Sequence, residues 1–504
     1  MEDTNALVRD SAAMRDVSVR RIGGFALDRL WVLVSFYSVD AFVQFDDATS
    51  ALYLSTFVSV TVMTLTLLGI AAIARRQARL YGQHIFLSIS AALMVVGGAV
   101  TFLIDPLLGP NSMLLAVGGG LTGAGSAVLF IAWLELIAEH GVRGVAIEVA
   151  LAYCAAFLAG LIILLCPDMG VVAIALALPA ISAWMLIQQA KRCERPEKMK
   201  PFQPISASTR RFFARMLSGI FAFGALEGFM DWFTGYRAFS TPLYDSTNLL
   251  VWGFAATLAV ALIAIFKRDD GLPLVYKLAT ALFFAGGAVL IFDGGLRAMA
   301  SGVFFAGYGS LIVVLSAVCA KAFFSFRIGI SRCIAACFGA LYLGETAGSA
   351  ISALTAAAGA APPPTAAGLI VVCAIAGVYV FLFTEMDFVR LGLGEVEAVV
   401  PGEGNEDDGK AALAEDREDA IARVSSLVAE RYGLSPRESE VLPLLLQGRT
   451  IARIQETLYI SQGTVSTHIR HIYQKAGVDN RQDLLDLVEQ IAHEHVVNRR
   501  SDAS

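Results

Sequence analysis

Charged residues are scarce in this chain. Asp, Glu, Lys and Arg make up 16% of its 504 residues, whereas soluble globular proteins contain about 25%. Hydrophobic residues make up 56%, and the mean hydropathy is +0.65. Because this number of charged residues is too small to cover the surfaces of several soluble domains, the composition predicts an integral membrane protein.

Cysteine and histidine are also rare, with seven and six copies. The absence of any C-x-x-C pair or Cys/His cluster argues against a disulfide framework, a structural metal and a redox motif. Cys333 and Cys337 lie four residues apart and are interpreted as core residues. We expect no cofactor and no catalysis, because the chain has neither a kinase core nor a nucleotide-binding glycine loop. Residues 1–24 carry Asp, Glu and four Arg before any apolar run, which is unlike a cleavable signal peptide.

Apolar stretches fill most of the chain between residues 25 and 386. A bilayer core of about 30 Å requires about 20 apolar residues per helix, and twelve stretches meet that length. The predicted spans are 25–45, 51–74, 84–104, 112–138, 142–165, 170–190, 212–236, 247–266, 275–292, 296–323, 327–357 and 366–386. Asp28 and Arg29 fall in the opening turn of the first span, where we expect both to reach the membrane interface.

Basic residues alternate between the loops. The N-terminal tail and the even-numbered loops are rich in Lys and Arg, whereas the odd-numbered loops contain almost none apart from Arg237 and Arg297. Because cytoplasmic loops carry the excess of Lys and Arg, this alternation predicts that both termini are cytoplasmic. Glu135, Glu148 and Arg332 lie near the cytoplasmic ends of spans and are candidates for pairing with one another.

The spans divide into two groups of six, residues 25–190 and 212–386, joined by a basic loop at 191–211. This arrangement resembles the major facilitator superfamily, whose two halves are parallel repeats. The resemblance implies a substrate-like cavity among spans one, four, seven and ten. In that superfamily the loop after span two carries an acidic residue in its switching motif. Here the stretch from Gly69 to Arg79 is basic and has no acidic residue, which argues against active transport.

Polar and aromatic residues inside the spans are candidates for ligand binding, because ionisable groups in a bilayer are costly. The candidates are Tyr37, Asp40, Glu227, Asp231, Trp232, Tyr308 and Glu345. Their position predicts an outward-facing vestibule that would favour a cationic or hydrogen-bond-donating molecule, since no internal Arg or Lys matches the acids. In the alternative interpretation, Asp40 and Asp231 sit in water at span ends. The glycine-rich run 118–125 is interpreted as a site of close helix packing.

The composition changes after residue 386. Residues 387–423 are acidic and predict a flexible linker, residues 424–498 predict a small helical domain, and 499–504 form a tail. Ser435, Pro436 and Glu438 give the signature of a helix start. Thr450 and Ser461 are expected to cap the next two helices, Gly477 to end the third, and a fourth helix follows from Arg481.

The amino-acid sequence of this domain resembles the LuxR-type (GerE) helix-turn-helix family. The shared segments are Leu434 to Glu438, Gln447-Gly448, Ile460 to Ile469, Lys475 to Val478 and Asn480-Arg481. The resemblance implies an all-α, four-helix DNA-binding domain whose third helix enters the major groove. Its 3–4 spacing places Val465, Ile469 and Ile472 inward.

The same resemblance implies which side chains meet DNA. Ser466, Thr467 and Arg470 stand where the family reads base edges, and Thr464, Lys475 and Arg481 are interpreted as phosphate contacts. The full predicted set is Gln462, Thr464, Ser466, Thr467, Arg470, His471, Lys475 and Arg481. For Lys475 a solvated surface position is the alternative. Leu484 and Val488 are candidate dimer contacts, with packing inside the domain as the alternative.

These features together predict a one-component transcription regulator in the cytoplasmic membrane of a bacterium. Its expected partners are the lipid bilayer, a small molecule, and double-stranded DNA, on which the domain would form a homodimer. One alternative is a secondary transporter with a regulatory DNA-binding tail. Another is a passive anchor that holds a constitutive regulator at the membrane.

Overall fold

The structure is a computed structural model, and it describes most of the chain. The described residues are 17–37, 48–73, 79–109, 111–139, 141–163, 166–192, 207–234, 261, 271–292, 297–326, 329–384, 424–446, 451–478, 484 and 487–488. The chain divides into two compact units, Met1–Val399 and Val400–Ser504. All regular secondary structure in the described ranges is helical.

The described part of the first unit contains eleven long helices. They are α1 (Val19–Tyr37), α2 (Ala48–Ile73), α3 (His84–Leu108), α4 (Ser112–Ala138), α5 (Gly141–Ile163), α6 (Asp168–Ala190), α7 (Ala207–Thr234), α8 (Gly271–Phe292), α9 (Arg297–Phe326), α10 (Ile330–Ala357) and α11 (Pro364–Leu382). Helix α3 contains a π-helical stretch at Val100–Ile104, and α11 ends in another at Val378–Leu382. A short 3-10 turn, Leu80–Gly82, precedes α3.

These helices correspond to eleven of the twelve predicted spans. The remaining one, 247–266, lies outside the described residues except for Ala261. Within the described ranges, nine helices are long and apolar enough to cross a membrane. Helix α1 is not among the nine and carries Arg20, Arg21, Asp28 and Arg29. In α5 the apolar part is a shorter stretch, Gly144–Gly160.

Helix contacts in the first unit follow the same scheme twice. Helix α1 packs against α5 and α6, and α7 packs correspondingly against α10 and α11. Helix α3 packs against α4 and α6, as α8 packs against α9 and α11. Because equivalent helices of the two sets make equivalent pairs, the described part of the unit contains two structural repeats. Contacts between α2 and α10 and between α5 and α9 join the repeats.

Glycines set the distance between α7 and α10. A Cβ atom on Gly224 would lie 1.9 Å from the carbonyl oxygen of Leu341, and one on Gly348 would lie 1.9 Å from that of Ala225. Both separations are far below van der Waals contact, so the two backbones can be this close only because glycine has no side chain. The predicted packing role of run 118–125 has the same basis, since a Cβ on Gly123 would lie 2.2 Å from the carbonyl oxygen of Ser59.

The second unit has its own hydrophobic core. Residues 424–432 form helix α12, which the sequence did not predict, followed by α13 (Pro436–Leu446), α14 (Ile451–Leu458) and α15 (Gln462–Ala476). The fully buried core side chains are Val428, Val441, Leu442, Ile454, Val465, Ile472 and Leu484. Val428 contributes to this core from α12, and the burial of Leu484 favours packing inside the domain over a dimer contact. Val488 packs against the same core.

Candidate functional sites

Helix α15 has well-defined ends. The hydroxyl oxygen of Ser461 accepts a hydrogen bond from the backbone N–H of Thr464 at 3.2 Å, which satisfies one of the free donors of the first turn. At the other end Gly477 adopts φ 69°, a left-handed conformation that glycine tolerates. Both caps are the ones predicted from the sequence. Residues 459–461 form the tight turn between α14 and α15, with Tyr459 at φ 54°, so the two helices form a helix-turn-helix.

The predicted base-reading side chains share one exposed face of α15. Ser466, Thr467 and Arg470 are exposed, whereas Val465 and Ile472 are buried beneath them. The hydroxyl of Thr467 donates to the carbonyl oxygen of Gly463 at 2.9 Å, so its oxygen still has acceptor capacity for a ligand. Thr464 is also exposed. The side chain of Gln462 and all of Arg481 lie outside the described residues.

Glu438 ties the start of α13 to the end of α15. Its carboxylate accepts the backbone N–H of Ser435 at 2.7 Å, while its own N–H lies 3.4 Å from the Ser435 hydroxyl oxygen, completing a capping box. The Lys475 ammonium donates to the same carboxylate at 2.7 Å and to the carbonyl oxygen of Gly433 at 3.0 Å. His471 Nδ1 lies 3.6 Å from the other carboxylate oxygen. Lys475 and His471, both predicted to face DNA, therefore also contact α13. Glu438 and Lys475 are 37 residues apart in the sequence, so no local pattern could have predicted this contact.

These contacts determine the protonation of Glu438. Burial alone would raise its pKa, but the hydrogen bonds from Lys475 and Ser435 and the charge of Lys475 outweigh burial and lower the pKa to about 2. The carboxylate is therefore ionised at neutral pH and holds Lys475 on the surface of the domain.

A cavity lies in the first unit between its two repeats. Helices α1, α2, α4 and α5 line one side, and α9 and α10 line the other. Aromatic side chains form much of its wall: Phe36, Tyr153, Phe157, Phe305, Tyr308 and Tyr342. The volume of the cavity is about 80 Å³.

Arg29 lines this cavity and corrects one prediction. Its guanidinium binds the Asp28 carboxylate, with Nε at 3.1 Å and Nη2 at 2.5 Å from Oδ2. It also stacks 4.5 Å from the ring centroid of Phe130 and 5.4 Å from that of Phe25. Asp28 and Arg29 are 1% and 5% exposed, so neither lies at the helix end. The prediction was wrong because α1 begins at Val19, earlier than expected, which moves both residues to its middle.

The predicted ligand-binding residues come together in part. The Tyr308 hydroxyl on α9 donates to Glu345 Oε2 on α10 at 2.7 Å, and both side chains line the cavity. Glu227 on α7 is buried and close enough to Tyr308 to interact electrostatically. The side chains of Tyr37, Asp231 and Trp232, and all of Asp40, lie outside the described residues.

Arg29 and Tyr153 were not predicted to belong to this site. Arg29 overturns the premise that no internal base accompanies the acids. The available signal was an Asp-Arg pair preceding an uninterrupted apolar run. Among the described residues no group of three His, Cys, Asp or Glu side chains is arranged to hold a metal ion.

A second buried carboxylate links the repeats away from the cavity. Glu135 on α4 accepts the backbone N–H groups of Leu80 and Tyr81 at 2.7 and 3.2 Å, and it also accepts the hydroxyl of Ser331 at the start of α10. Glu148 on α5 instead binds Arg21 of α1 through Nε and Nη2. The two glutamates therefore have separate partners and do not form the shared cluster considered from the sequence.

Residues 433–488 match the family described as bacterial regulatory proteins, luxR family. The second unit therefore contains a LuxR-type helix-turn-helix DNA-binding domain, as predicted.

Solved transporter structures are similar to the larger part of the chain. A bacterial homologue of the iron transporter ferroportin in its outward-facing state has a TM-score of 0.51 at 13% identity, with 74% of this chain and 98% of that chain covered. FucP, described as a major facilitator superfamily transporter in the outward conformation, has a TM-score of 0.48 at 13% identity, covering 73% and 98%. The human organic anion transporter MFSD10 (TETRAN) has a TM-score of 0.49 at 14% identity, covering 72% and 99%. At these identities the likeness concerns the fold alone, and the likeness to the ferroportin homologue, with a TM-score above 0.5, agrees with the predicted transporter-like membrane unit.

Proposed function

We propose that this protein is a membrane-bound, one-component transcription regulator in which the transporter-like unit detects a small molecule and controls DNA binding by the LuxR-type domain. The observation that carries the proposal is the exposed polar face of α15 in a LuxR-type domain, on the same chain as a membrane unit with a cavity lined by aromatic side chains, Arg29 and Glu345. In this proposal the cavity binds the small molecule, and the LuxR-type domain binds DNA in response.

The exposed face of α15 suits sequence reading. Arg470 can donate two parallel hydrogen bonds to the O6 and N7 atoms of guanine, which is the commonest specific contact in the major groove. Ser466 and Thr467 can donate to or accept from neighbouring bases. Thr464 and Arg481 remain proposed phosphate contacts, which position the domain without reading sequence. Lys475 binds Glu438 and Gly433, so its contribution to DNA binding would come through the placement of α15.

Regulation would follow from a shift in population. A ligand that binds one conformation of the membrane unit more tightly than another favours that conformation, and the linker at 387–423 would pass the change to the domain. We propose that both termini are cytoplasmic, that the membrane is the bacterial inner membrane, and that the domain binds DNA as a homodimer.

The DNA-reading role is tested with the full-length protein in lipid nanodiscs and a pool of random DNA duplexes. We expect the protein to enrich one short motif, and Arg470→Ala to lower the affinity for that motif by about 10- to 100-fold, since a bidentate base contact contributes about 1–3 kcal/mol of discrimination. Arg437→Ala is the matched control, because Arg437 is an exposed arginine of α13 paired with Glu440. Equal motif affinity in the two variants would exclude Arg470 as a base-reading residue.

Coupling is tested by comparing transcription in wild-type and deletion strains across a panel of small molecules. A regulator requires at least one compound whose effect depends on the protein. Ligand-independent transcription by both the full-length protein and the isolated domain would support a passive anchor instead. Because the membrane unit has a transporter fold, accumulation of the same compound in proteoliposomes would identify a transporter with a regulatory tail.

A further inference from the structure

We propose that the cavity between the repeats binds a small organic cation with an apolar body, and that Glu345 holds its charged centre. The proposal rests on the proposed function only in that the membrane unit receives a small-molecule ligand. Three observations carry it: the aromatic wall, the pairing of the charges, and an available hydroxyl.

Aromatic side chains form much of the wall of the cavity. Six rings from α1, α5, α9 and α10 line it, and the ring centroids of Phe157 and Phe305, from opposite repeats, are 5.9 Å apart. The face of an aromatic ring carries partial negative charge and attracts cations, above all when water is excluded. The same rings provide apolar area for the body of the ligand.

The charges in the lining favour a cation. Arg29 is already neutralised by Asp28, and its guanidinium lies over the neighbouring rings of Phe25 and Phe130. An anionic ligand would have to compete with Asp28 for Arg29, which would leave a buried carboxylate without its partner, at a cost of several kcal/mol.

Glu345 presents no such obstacle. Its hydrogen-bond partner among the described residues is the Tyr308 hydroxyl, a neutral group that can rotate and donate elsewhere. Glu227 on α7 interacts electrostatically with Tyr308, so a second acidic group lies near Glu345. A ligand cation at Glu345 therefore gains an ion pair without separating one that already exists.

Thr56 offers a hydrogen bond at the same site. Thr61, Thr64 and Thr66 of α2 each donate to the carbonyl oxygen four residues earlier, at 2.7–2.8 Å. Thr56 is a lining residue of the cavity, and within the described part of the chain its buried hydroxyl oxygen has no hydrogen-bond partner. A ligand with an amine N–H can use this oxygen as an acceptor.

The proposal is tested with full-length protein in nanodiscs and three probes that share one ring: phenethylammonium, phenylacetate and 2-phenylethanol. Binding is measured by calorimetric titration. We expect phenethylammonium to bind at least tenfold more tightly than the other two, and Glu345→Gln to remove that preference. Tyr308→Phe removes only a hydroxyl and should retain it. Asp105→Asn is the matched control, because it removes a buried acid from α3 outside the cavity.

The outcomes separate this inference from the proposed function. Phenylacetate binding as tightly as phenethylammonium, or an unchanged preference in Glu345→Gln, would overturn the cation site. If Glu345→Gln does not fold, the Tyr308→Phe protein provides the test. Tighter binding of phenylacetate than of phenethylammonium by that protein would also overturn the cation site. Selective binding of the cation without any effect on DNA occupancy would support the site and contradict the regulatory coupling.

Discussion

The two units of this protein treat charged side chains in opposite ways. In the DNA-binding unit Arg470 is exposed, and the core consists of apolar side chains such as Val441 and Ile472. In the membrane unit Arg29 is buried in the middle of α1 and binds Asp28. A second pair, Arg21 and Glu148, is buried between α1 and α5.

The difference follows from the medium around each unit. Water solvates an exposed arginine until DNA replaces the water. The side chain therefore does not need a partner within the protein, and leaving it unpaired costs little free energy. Inside a bilayer an unpaired charge is costly, and charged side chains there pair with one another. The exposed Arg470 is therefore available to a partner, whereas the buried Arg21 holds α1 against α5.

The largest expected effect comes from breaking the buried pair. Glu148→Gln leaves the Arg21 guanidinium buried without its carboxylate, and the loss of one member of a buried pair typically costs about 3–5 kcal/mol. Glu440→Gln in the DNA-binding unit removes an equal charge from the exposed Arg437 pair and should change stability by at most about 1 kcal/mol. Each unit is followed separately by denaturant unfolding.

The double variant Arg21→Met/Glu148→Leu sharpens this comparison. It removes both charges, so most of the stability lost in Glu148→Gln should return. Similar losses in the buried and exposed single variants would contradict the view that the membrane unit depends on internal pairing.

The close approach of α7 and α10 predicts a smaller effect. Gly224→Ala places a methyl group against the Leu341 carbonyl oxygen, and overpacking of this kind typically costs about 1–3 kcal/mol. Gly69→Ala on α2 is the control, because a Cβ there meets nothing within 4 Å. The midpoint of thermal unfolding in detergent should fall for Gly224→Ala and stay within error for Gly69→Ala. Equal midpoints would mean that the helices can separate freely.

Local signals in the sequence predicted the DNA-binding domain well. The caps at Ser435, Ser461 and Gly477 depend on residues within one helical turn, and the inward face of α15 follows from helical spacing. Contacts between distant residues could not be predicted in this way. The pairing of Glu438 with Lys475 depends on how α13 packs against α15, which no local pattern encodes.

The membrane unit shows the same limit on a larger scale. Apolar length predicted where most helices lie, and acids within the spans pointed to Tyr308 and Glu345. The start of α1 was misplaced because Arg20 and Arg21 were assigned to the tail, although Arg21 is buried against Glu148 of α5. That error also hid Arg29 from the predicted site, since a charge at a helix end can reach water whereas one in the middle cannot.

The smallest expected effect concerns the partly buried ion pair between Glu438 and Lys475 in the DNA-binding unit. Because the pKa of Glu438 is lowered from about 4.5 to about 2 in the folded state, its contribution to stability is present above pH 4.5 and is lost as the pH falls toward 2. Lys475 is 38% exposed, so solvent and salt screen the pair, and we expect no more than about 1 kcal/mol. Urea unfolding of a fragment spanning residues 400–504, followed by circular dichroism at pH 6 and pH 3, measures this loss.

Glu438→Gln isolates the charge from the cap. Glutamine can still accept the Ser435 N–H in a capping box, but it neither titrates nor attracts Lys475 as an ion. The variant should therefore be slightly less stable than the wild type at pH 6, and the difference should be smaller at pH 3, whereas Glu440→Gln should leave the pH dependence almost unchanged. A full wild-type pH dependence in Glu438→Gln would place the titrating group elsewhere in the unit. Since the pair connects α13 to the helix that bears Arg470, a loss of DNA affinity in Glu438→Gln at pH 6 would show that even this weak contact helps to position the proposed DNA-reading face of α15.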